Sequence, residues 1–403
     1  MDEIKRISKQ EGASEEKIKR ELSSGRAVLC SKIKPTIIGR AFKTKVNANI
    51  GTSQDFSDIG EEMEKLNSAV EAGADAVMDL STGGNIREIL QSIVKNSPIP
   101  VGTVPIYMAG KKALERKKPI YEMTEDDIFN AVEFHLKSGI DFATIHSAIT
   151  YDSIPFIEKR LMPLVSRGGS FLYSWMRHNK KENPLYSRFD YLLEMLKKYD
   201  VIISIGDALR PGCLRDANDR AQIMELKTQA KLVKKCRKVK VGVICEGPGH
   251  MPLNTIEKNV KFQQRITKGA PYYVLGPLPT DIAMGFDHIA GAVGGSIAAS
   301  AGASFLCVVT PNEHIGLPTP EDIKQGVIGS RIAAHIGDIV RLGSKRDEEM
   351  SKARAGLNWE AQFANSIYPK EPRERRGRRG TKTDACSMCG DFCALKIGLE
   401  CSK

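Results

Sequence analysis

The amino-acid sequence predicts an α/β protein: a TIM-type (β/α)8 barrel with a helical C-terminal extension that ends in a cysteine cluster. Two observations carry this expectation. Eight short runs rich in β-branched residues alternate with longer segments whose apolar positions recur every three or four residues, the pattern of βα units in a parallel sheet. The eight units fit into about 270 residues, the span of a closed barrel rather than of an open doubly wound sheet.

Taken in order, residues 1–40 form a polar, charged lead-in segment with helical spacing. The strand runs follow: KVNANI (45–50), DAVMDL (75–80), IPVGTV (99–104), DFATIH (141–146), VIISIGD (201–207), KVGVICE (240–246), YYVLG (272–276) and SFLCVV (304–309). Between them, segments such as GEEMEKLNSAVEAG, EDDIFNAVEFHLKSG and ANDRAQIMELKTQAKLVKKC gather their apolar residues on one helical face. This places the barrel at residues 41–320. Beyond it only helical patterns occur, EDIKQGVIGSRIAAHIGDIVRLG and then DEEMSKARAGLNWEAQFANSI, so residues 321–403 are predicted as a helical region. Within that region YPKEPRERRGRRGTKTD (368–384) is charged, broken by proline and glycine and unable to bury a core, so it reads as a mobile linker.

Composition narrows the function classes. Of 403 residues, 41% are hydrophobic and 27% charged, ordinary proportions for a globular protein that argue against gross disorder. No apolar run approaches the ~18 residues of a membrane span, and the N-terminal residues show no apolar signal region, so a cytoplasmic protein without a membrane role is expected. The formal charge of +11 is spread along helix faces without interleaved aromatic residues, which fits small anionic substrates and argues against a nucleic-acid partner. Nine cysteines are present, and six of them (Cys30, Cys213, Cys236, Cys245, Cys307, Cys401) are scattered without a pairing rhythm.

The other three, Cys386, Cys389 and Cys393, have C-x2-C-x3-C spacing on a glycine-containing turn. Thiolates so spaced can converge on one soft metal centre, and three ligands rather than four leave one coordination position open. An open iron of a [4Fe-4S] cluster is what binding and reductive cleavage of S-adenosylmethionine require. A structural zinc with Cys401 as fourth ligand is the alternative reading.

In a βα barrel the strand C-termini and the loops after them form the active face. Asn49, Met78 and Asp79, Tyr107, His146, the Asp207-to-Arg210 loop, Glu246, His250, Tyr273 and the Thr310-to-His314 loop all fall there. His250 and His314 would share one rim, where two neutral imidazoles could bind zinc or another divalent ion, although a single loop histidine more often just meets solvent. Glu246 is a candidate acid/base group or amine anchor, or simply a carboxylate in a first helical turn. Ser166-Arg167-Gly168-Gly169 and Arg210-Pro211-Gly212 offer a hydroxyl, guanidinium groups and open backbone N–H groups suited to a phosphate monoester, though plain turns give the same pattern. Tyr107 and Tyr273 could stack on or hydrogen-bond a heterocycle, or be partly buried rim aromatics.

Taken together and in order, the strings IIGRAFKTKVNANIGTS, ADAVMDLSTGGNIREI, NSPIPVGTVPIY, TIHS, VSRGGS, GDALRPG, DANDRAQ, EGPGHMP, TDIAMGFDHI, VTPNEHIGLP, EDIKQG, MSKAR and CSMCGDFC resemble the ThiC family of phosphomethylpyrimidine synthases, over nearly the whole chain. The resemblance implies a radical S-adenosylmethionine lyase of thiamine biosynthesis. Such an enzyme converts 5-aminoimidazole ribotide to hydroxymethylpyrimidine phosphate, with formate, carbon monoxide, 5′-deoxyadenosine and methionine released and a reducing electron donor required. It implies substrate contacts at Asn49, Met78, Tyr107, His146, Ser166, Arg167, Gly168, Asp207, Ala208, Leu209, Arg210, Glu246 and Tyr273. It further implies zinc at His250 and His314, a [4Fe-4S] cluster at Cys386, Cys389 and Cys393, and a homodimer in which the flexible 368–384 linker lets the cluster segment reach the partner's barrel. Cys401 is left without a role.

The sequence departs from the family pattern at several places. Three residues rather than four separate the second and third cluster cysteines. Ala208 stands where glycine is usual, and Met284 and Phe286 replace a proline and a tyrosine. The N-terminal domain of longer relatives is largely missing, and VLCSKIKP stands where they have a proline-rich stretch. The related anaerobic 5-hydroxybenzimidazole synthases of cobamide biosynthesis share the substrate and offer a second product. Two further readings are a zinc knuckle with a basic RNA tether at 370–382 and a non-radical lyase that uses only His250 and His314.

Overall fold

The computed structural model describes residues 2–30, 34–380 and 384–401, which fall into two compact units, Met1–Arg341 and Leu342–Lys403. The first opens with helices α1 (Asp2–Glu11) and α2 (Glu15–Ser23) and the antiparallel pair β1 (Ala27–Cys30) and β2 (Thr36–Gly39). Ile7, Ile18, Ala27, Ile37 and Phe42 give this segment its own small core. A buried ion pair, Lys45 to Glu11 at 3.0 Å, ties it to the first barrel strand.

Eight parallel strands close the barrel: β3 (Lys45–Ile50), β4 (Ala76–Asp79), β5 (Val101–Thr103), β6 (Phe142–Ile145), β7 (Ile202–Ile205), β8 (Val243–Gly247), β9 (Tyr272–Leu275) and β10 (Phe305–Cys307), with β10 pairing back to β3. All eight predicted runs are strands, most with shorter ends. The third shortens to Val101–Thr103 because Pro100 brings no N–H to the ladder, although its carbonyl still accepts from Val77 N at 2.9 Å. Strands β6 and β10 are not neighbours in the closed order, so the Phe142–Phe305 ring contact at 6.0 Å passes through the barrel interior. Tyr273 stacks on Phe305 at 4.4 Å and completes this layer. Gly102, beside Phe142, must lack a side chain, because a Cβ there would lie 2.2 Å from the ring.

Helices wrap the strands: α3 (Ile59–Ala72), α4 (Ile86–Asn96), α5 (Ile106–Glu115), α6 (Glu125–Lys137), α7 (Ile154–Ile157), α8 (Arg167–Asn179), α9 (Pro184–Ser187), α10 (Phe189–Tyr199), α11 (Arg220–Val239), α12 (Leu253–Ile266), α13 (Asp287–Ala301) and α14 (Pro320–Leu342). Their starts are fixed chemically, as in the reciprocal Thr124–Asp127 capping box of α6 and the Ser166 hydroxyl that accepts from Gly169 N–H at the head of α8. The helix α14, which the sequence assigned to the C-terminal region, belongs to the barrel unit. Its Asp338 accepts from Thr44 N–H at 3.0 Å, and Gly326 lies against Val308 and Val309. Among the described residues no strand follows α14, so the alternation that marks the barrel in sequence stops one helix early.

The second unit contains α15 (Lys345–Ala355), α16 (Trp359–Asn365), α17 (Lys370–Arg379) and α18 (Ala394–Cys401). The stretch read as a linker thus holds a ten-residue helix. Arginine and glutamate are good helix formers, and Glu371–Arg375 one turn apart at 2.6 Å and Arg373–Glu360 at 2.7 Å support it. Residues 381–383 of that stretch lie outside the described residues. Among the described residues no helix is long and apolar enough to cross a membrane.

Candidate active site

The barrel strands end in one cavity. It is lined by Asn49, Met78, Tyr107, His146, Asp207, Arg210, Glu246 and Tyr273, all candidates from sequence. Glu313, from the Thr310-to-His314 loop, lines it too, as do Thr144 and Cys307, which were not among the candidates. Thr144 and Cys307 lie on strands, where apolar neighbours mask their polar character.

Glu246 is the penultimate residue of β8 and is buried. Its Oε1 accepts from Thr144 Oγ1 and from Ser204 Oγ, each at 2.6 Å, so two hydroxyls from β6 and β7 fix the carboxylate. Burial raises its pKa, against the pull of these hydrogen bonds and of Arg210. Asp207 pairs with Arg210 at 3.0 Å, yet burial still pushes it up to about 7. The loop carrying this pair is pinned from outside: Leu209 N–H donates to Glu225 Oε2 at 2.9 Å, and Leu209 O accepts from Arg160 Nη2 at 2.7 Å. Leu209 and Ala208 are therefore buried supports beside the cavity, and the Ala208 methyl lies against Gly169. Met284 and Phe286 are exposed and do not line the cavity.

Asn47 Nδ2 donates to Tyr273 Oη at 2.7 Å and to Asn49 Oδ1 at 3.0 Å, so β3 and β9 position each other's polar groups. His146 is buried and its pKa falls to about 3, chiefly through burial and then through Arg210, which makes it a neutral imidazole. Its Nε2 meets Ser166 Oγ at 3.1 Å. Gly168 is required at this contact, since a Cβ would lie 2.4 Å from the imidazole ring. Arg167 lies over the Tyr107 ring at 5.0 Å, so the N-terminal turn of α8 brings a guanidinium to a residue lining the cavity.

His250 and His314 meet, with Nε2 atoms 3.2 Å apart. Behind them, His250 Nδ1 lies 2.7 Å from Asp281 Oδ1 and His314 Nδ1 3.1 Å from Asp287 Oδ2. Carboxylates only accept, so both Nδ1 atoms carry hydrogen, and in neutral rings both Nε2 lone pairs point at a common centre. This is the arrangement that holds a divalent cation. Neither aspartate was singled out from sequence.

In the second unit Cys386 O accepts from Cys389 N–H at 3.2 Å and Gly390 N–H at 3.0 Å, a turn that Gly390 makes with φ of 52°. Backbone hydrogen bonds and the neighbouring Cys389 thiol lower the Cys386 pKa, while Cys389 is raised as the donor in that pair. Cys393 is buried and Cys401 exposed, and none of the cysteines is in a disulfide. Among the described residues, no three histidine, cysteine or acidic side chains are drawn tightly enough together to grip an ion without one. Trp359 Nε1 donates to Asp384 O at 2.7 Å, and Arg376 stacks on the Trp359 ring at 3.6 Å, which anchors the residues just before Cys386.

A closed parallel barrel with paired ionisable groups buried at its strand C-termini defines a βα-barrel enzyme. Residues 1–400 match the profile of the Radical SAM ThiC family. A protein of Thermoanaerobacter pseudethanolicus named phosphomethylpyrimidine synthase is 51% identical, the alignment covering 99% of this chain and 95% of that one. Proteins of the same name from Thermodesulfovibrio yellowstonii (50% identical; 98% of this chain, 96% of that one) and Pyrococcus abyssi (49%; 98% and 94%) are similar. The chain belongs to the radical SAM ThiC family. Membership implies S-adenosylmethionine and an iron–sulfur cluster as its cofactors.

Proposed function

We propose that this chain is a cytoplasmic phosphomethylpyrimidine synthase that rearranges 5-aminoimidazole ribotide in its barrel. The observation that carries this reading is the convergence of Asn49, Tyr107, Arg210 and Glu246 on one cavity in a chain about half identical to proteins of that name. Arg167, Arg210 and the N-terminus of α8 would bind the phosphate, with Ser166 holding both the helix start and His146. Asn49 and Glu246, fixed by Asn47, Thr144 and Ser204, would orient the imidazole and its amine. Buried walls would keep water and oxygen from reactive carbon centres.

Cys386, Cys389 and Cys393 are the proposed ligands of a [4Fe-4S] cluster. Cys386 and Cys389 share one turn and Cys393 follows one short helical turn later, a spacing suited to three-thiolate ligation. When bound, the cluster supplies the electron, received from an external donor, that cleaves S-adenosylmethionine. The His250–His314 pair fits zinc: two nitrogens ~2.0–2.1 Å from a tetrahedral ion stand about 3.3 Å apart, against the 3.2 Å observed. The same reading includes a homodimer.

The test is anaerobic incubation of reconstituted protein with 5-aminoimidazole ribotide, S-adenosylmethionine and dithionite, with products identified by mass. Hydroxymethylpyrimidine phosphate with 5′-deoxyadenosine is expected. 5-Hydroxybenzimidazole as the product would replace this reading with the cobamide one.

A further inference from the structure

We propose that the opposite face of the barrel carries a second anion site, which takes a nucleoside di- or triphosphate. A cavity of about 350 Å³ opens where the loops entering β9 and β10 meet the β1–β2 pair, at strand N-termini and so away from the rim cavity. This is within the range of roughly 300–1,000 Å³ typical of small-ligand pockets. Arg26, Arg40, Lys261, Gln264, Arg265 and Lys268 line it, and among the described residues no acidic one does.

Two of these cations are already matched. Glu21 takes Arg26 Nε and Nη2 at 2.8 and 2.9 Å, and Lys261 pairs with Glu257 one turn back. Arg40, Arg265 and Lys268 have no ion-pair partner among the described residues. Three like charges around one recess repel one another, and an entering polyanion turns that repulsion into attraction.

Gln264 supplies the independent observation. It is 8% exposed, and its Nε2 donates to Gln263 Oε1 at 2.9 Å and to Ala270 O at 3.3 Å. Its Oε1 is buried without a partner. The amide cannot be turned over, because its oxygen would then face two acceptors. A buried acceptor left unpaired is costly, so a ligand that brings a hydroxyl or amino donor as well as negative charge suits the site. Inorganic phosphate or pyrophosphate answers the cations alone, whereas the sugar or base of a nucleotide also answers Gln264.

The experiment is calorimetric titration of the full chain with ATP, pyrophosphate and inorganic phosphate, without added metal and at constant salt. One saturable ATP site is expected. Arg40→Glu with Lys268→Glu, both exposed positions, should weaken it by about tenfold or more, and Arg210→Gln in the rim cavity should leave it unchanged. Arg265→Gln serves as the milder variant should the double charge reversal lower the melting temperature. Gln264→Leu should weaken ATP but not pyrophosphate. Absence of saturable binding, equal affinity for ATP and inorganic phosphate, or loss of ATP binding through Arg210→Gln alone would each overturn the proposal.

Discussion

The Nε2 atoms of His250 and His314 face each other across 3.2 Å, although 64 residues separate them along the chain. The two rings are held in that pose from behind, by Asp281 and the buried Asp287. The metal affinity proposed for the pair would therefore depend on residues that never touch the ion.

Replacing Asp287 by Asn removes the acceptor charge that fixes the His314 tautomer. Zinc affinity, measured by competition with a chromogenic chelator, should fall roughly 10–100-fold. Unchanged affinity would show that Asp287 merely packs.

Glu246→Gln keeps the shape and an oxygen for Thr144 and Ser204 but removes the charge. Anaerobic product formation should drop by about 10²-fold or more. The folded state should not weaken, because burial opposes ionisation of this carboxyl. A variant that retains activity would take Glu246 out of the chemistry.

His146 imposes a pH dependence. Burial lowers its pKa from 6.5 to about 3, so between those values the unfolded chain binds a proton that the folded chain refuses. Stability is full above pH 6.5 and declines as pH falls toward 3, by about 1.4 kcal/mol per pH unit for this one group. His135, equally depressed, adds to the same limb, while Asp207, raised to about 7, acts in the opposite sense. Urea denaturation between about pH 4 and pH 6 should show a slope shallower by that amount in His146→Asn.

Cys389→Ala should leave anaerobically reconstituted protein without the absorbance and electron paramagnetic resonance of an iron–sulfur cluster, and abolish 5′-deoxyadenosine formation. Cys401→Ser should leave both intact. If Cys401→Ser instead empties the site and zinc replaces iron in the wild type, the four-thiolate structural site is correct.

Gly102→Val tests the barrel interior. The added side chain would strike the Phe142 ring and should destabilise the protein by about 1–3 kcal/mol in thermal or chemical unfolding. The double variant Gly102→Val with Phe142→Ala should recover part of that loss.

Much of this was legible along the chain. The eight strands were readable because barrel strands are buried on both faces and so show as short apolar runs between amphipathic helices, a signal within each local window. Asn49, His146, Glu246 and His250 could be singled out because a polar residue at the end of such a run has nowhere to point but the rim. Other features had no local signature. Helix α14 lacks a following strand to mark it as part of the barrel, and helix 370–379 is held by side-chain pairs that composition alone does not reveal. Ser204 and Thr144 look like ordinary strand residues until closure of the sheet aims both hydroxyls at Glu246.

The sequence by itself determined which runs form the barrel strands and which polar residues stand at their C-terminal ends, because periodicity and burial are encoded over a few residues. Only the tertiary structure decided who partners whom: Asp281 with His250, Asp287 with His314, Glu225 with the Leu209 backbone. Those pairings form across loops and neighbouring strands of a closed ring, and hydrogen bonds act through space over about 3 Å whatever the distance along the chain.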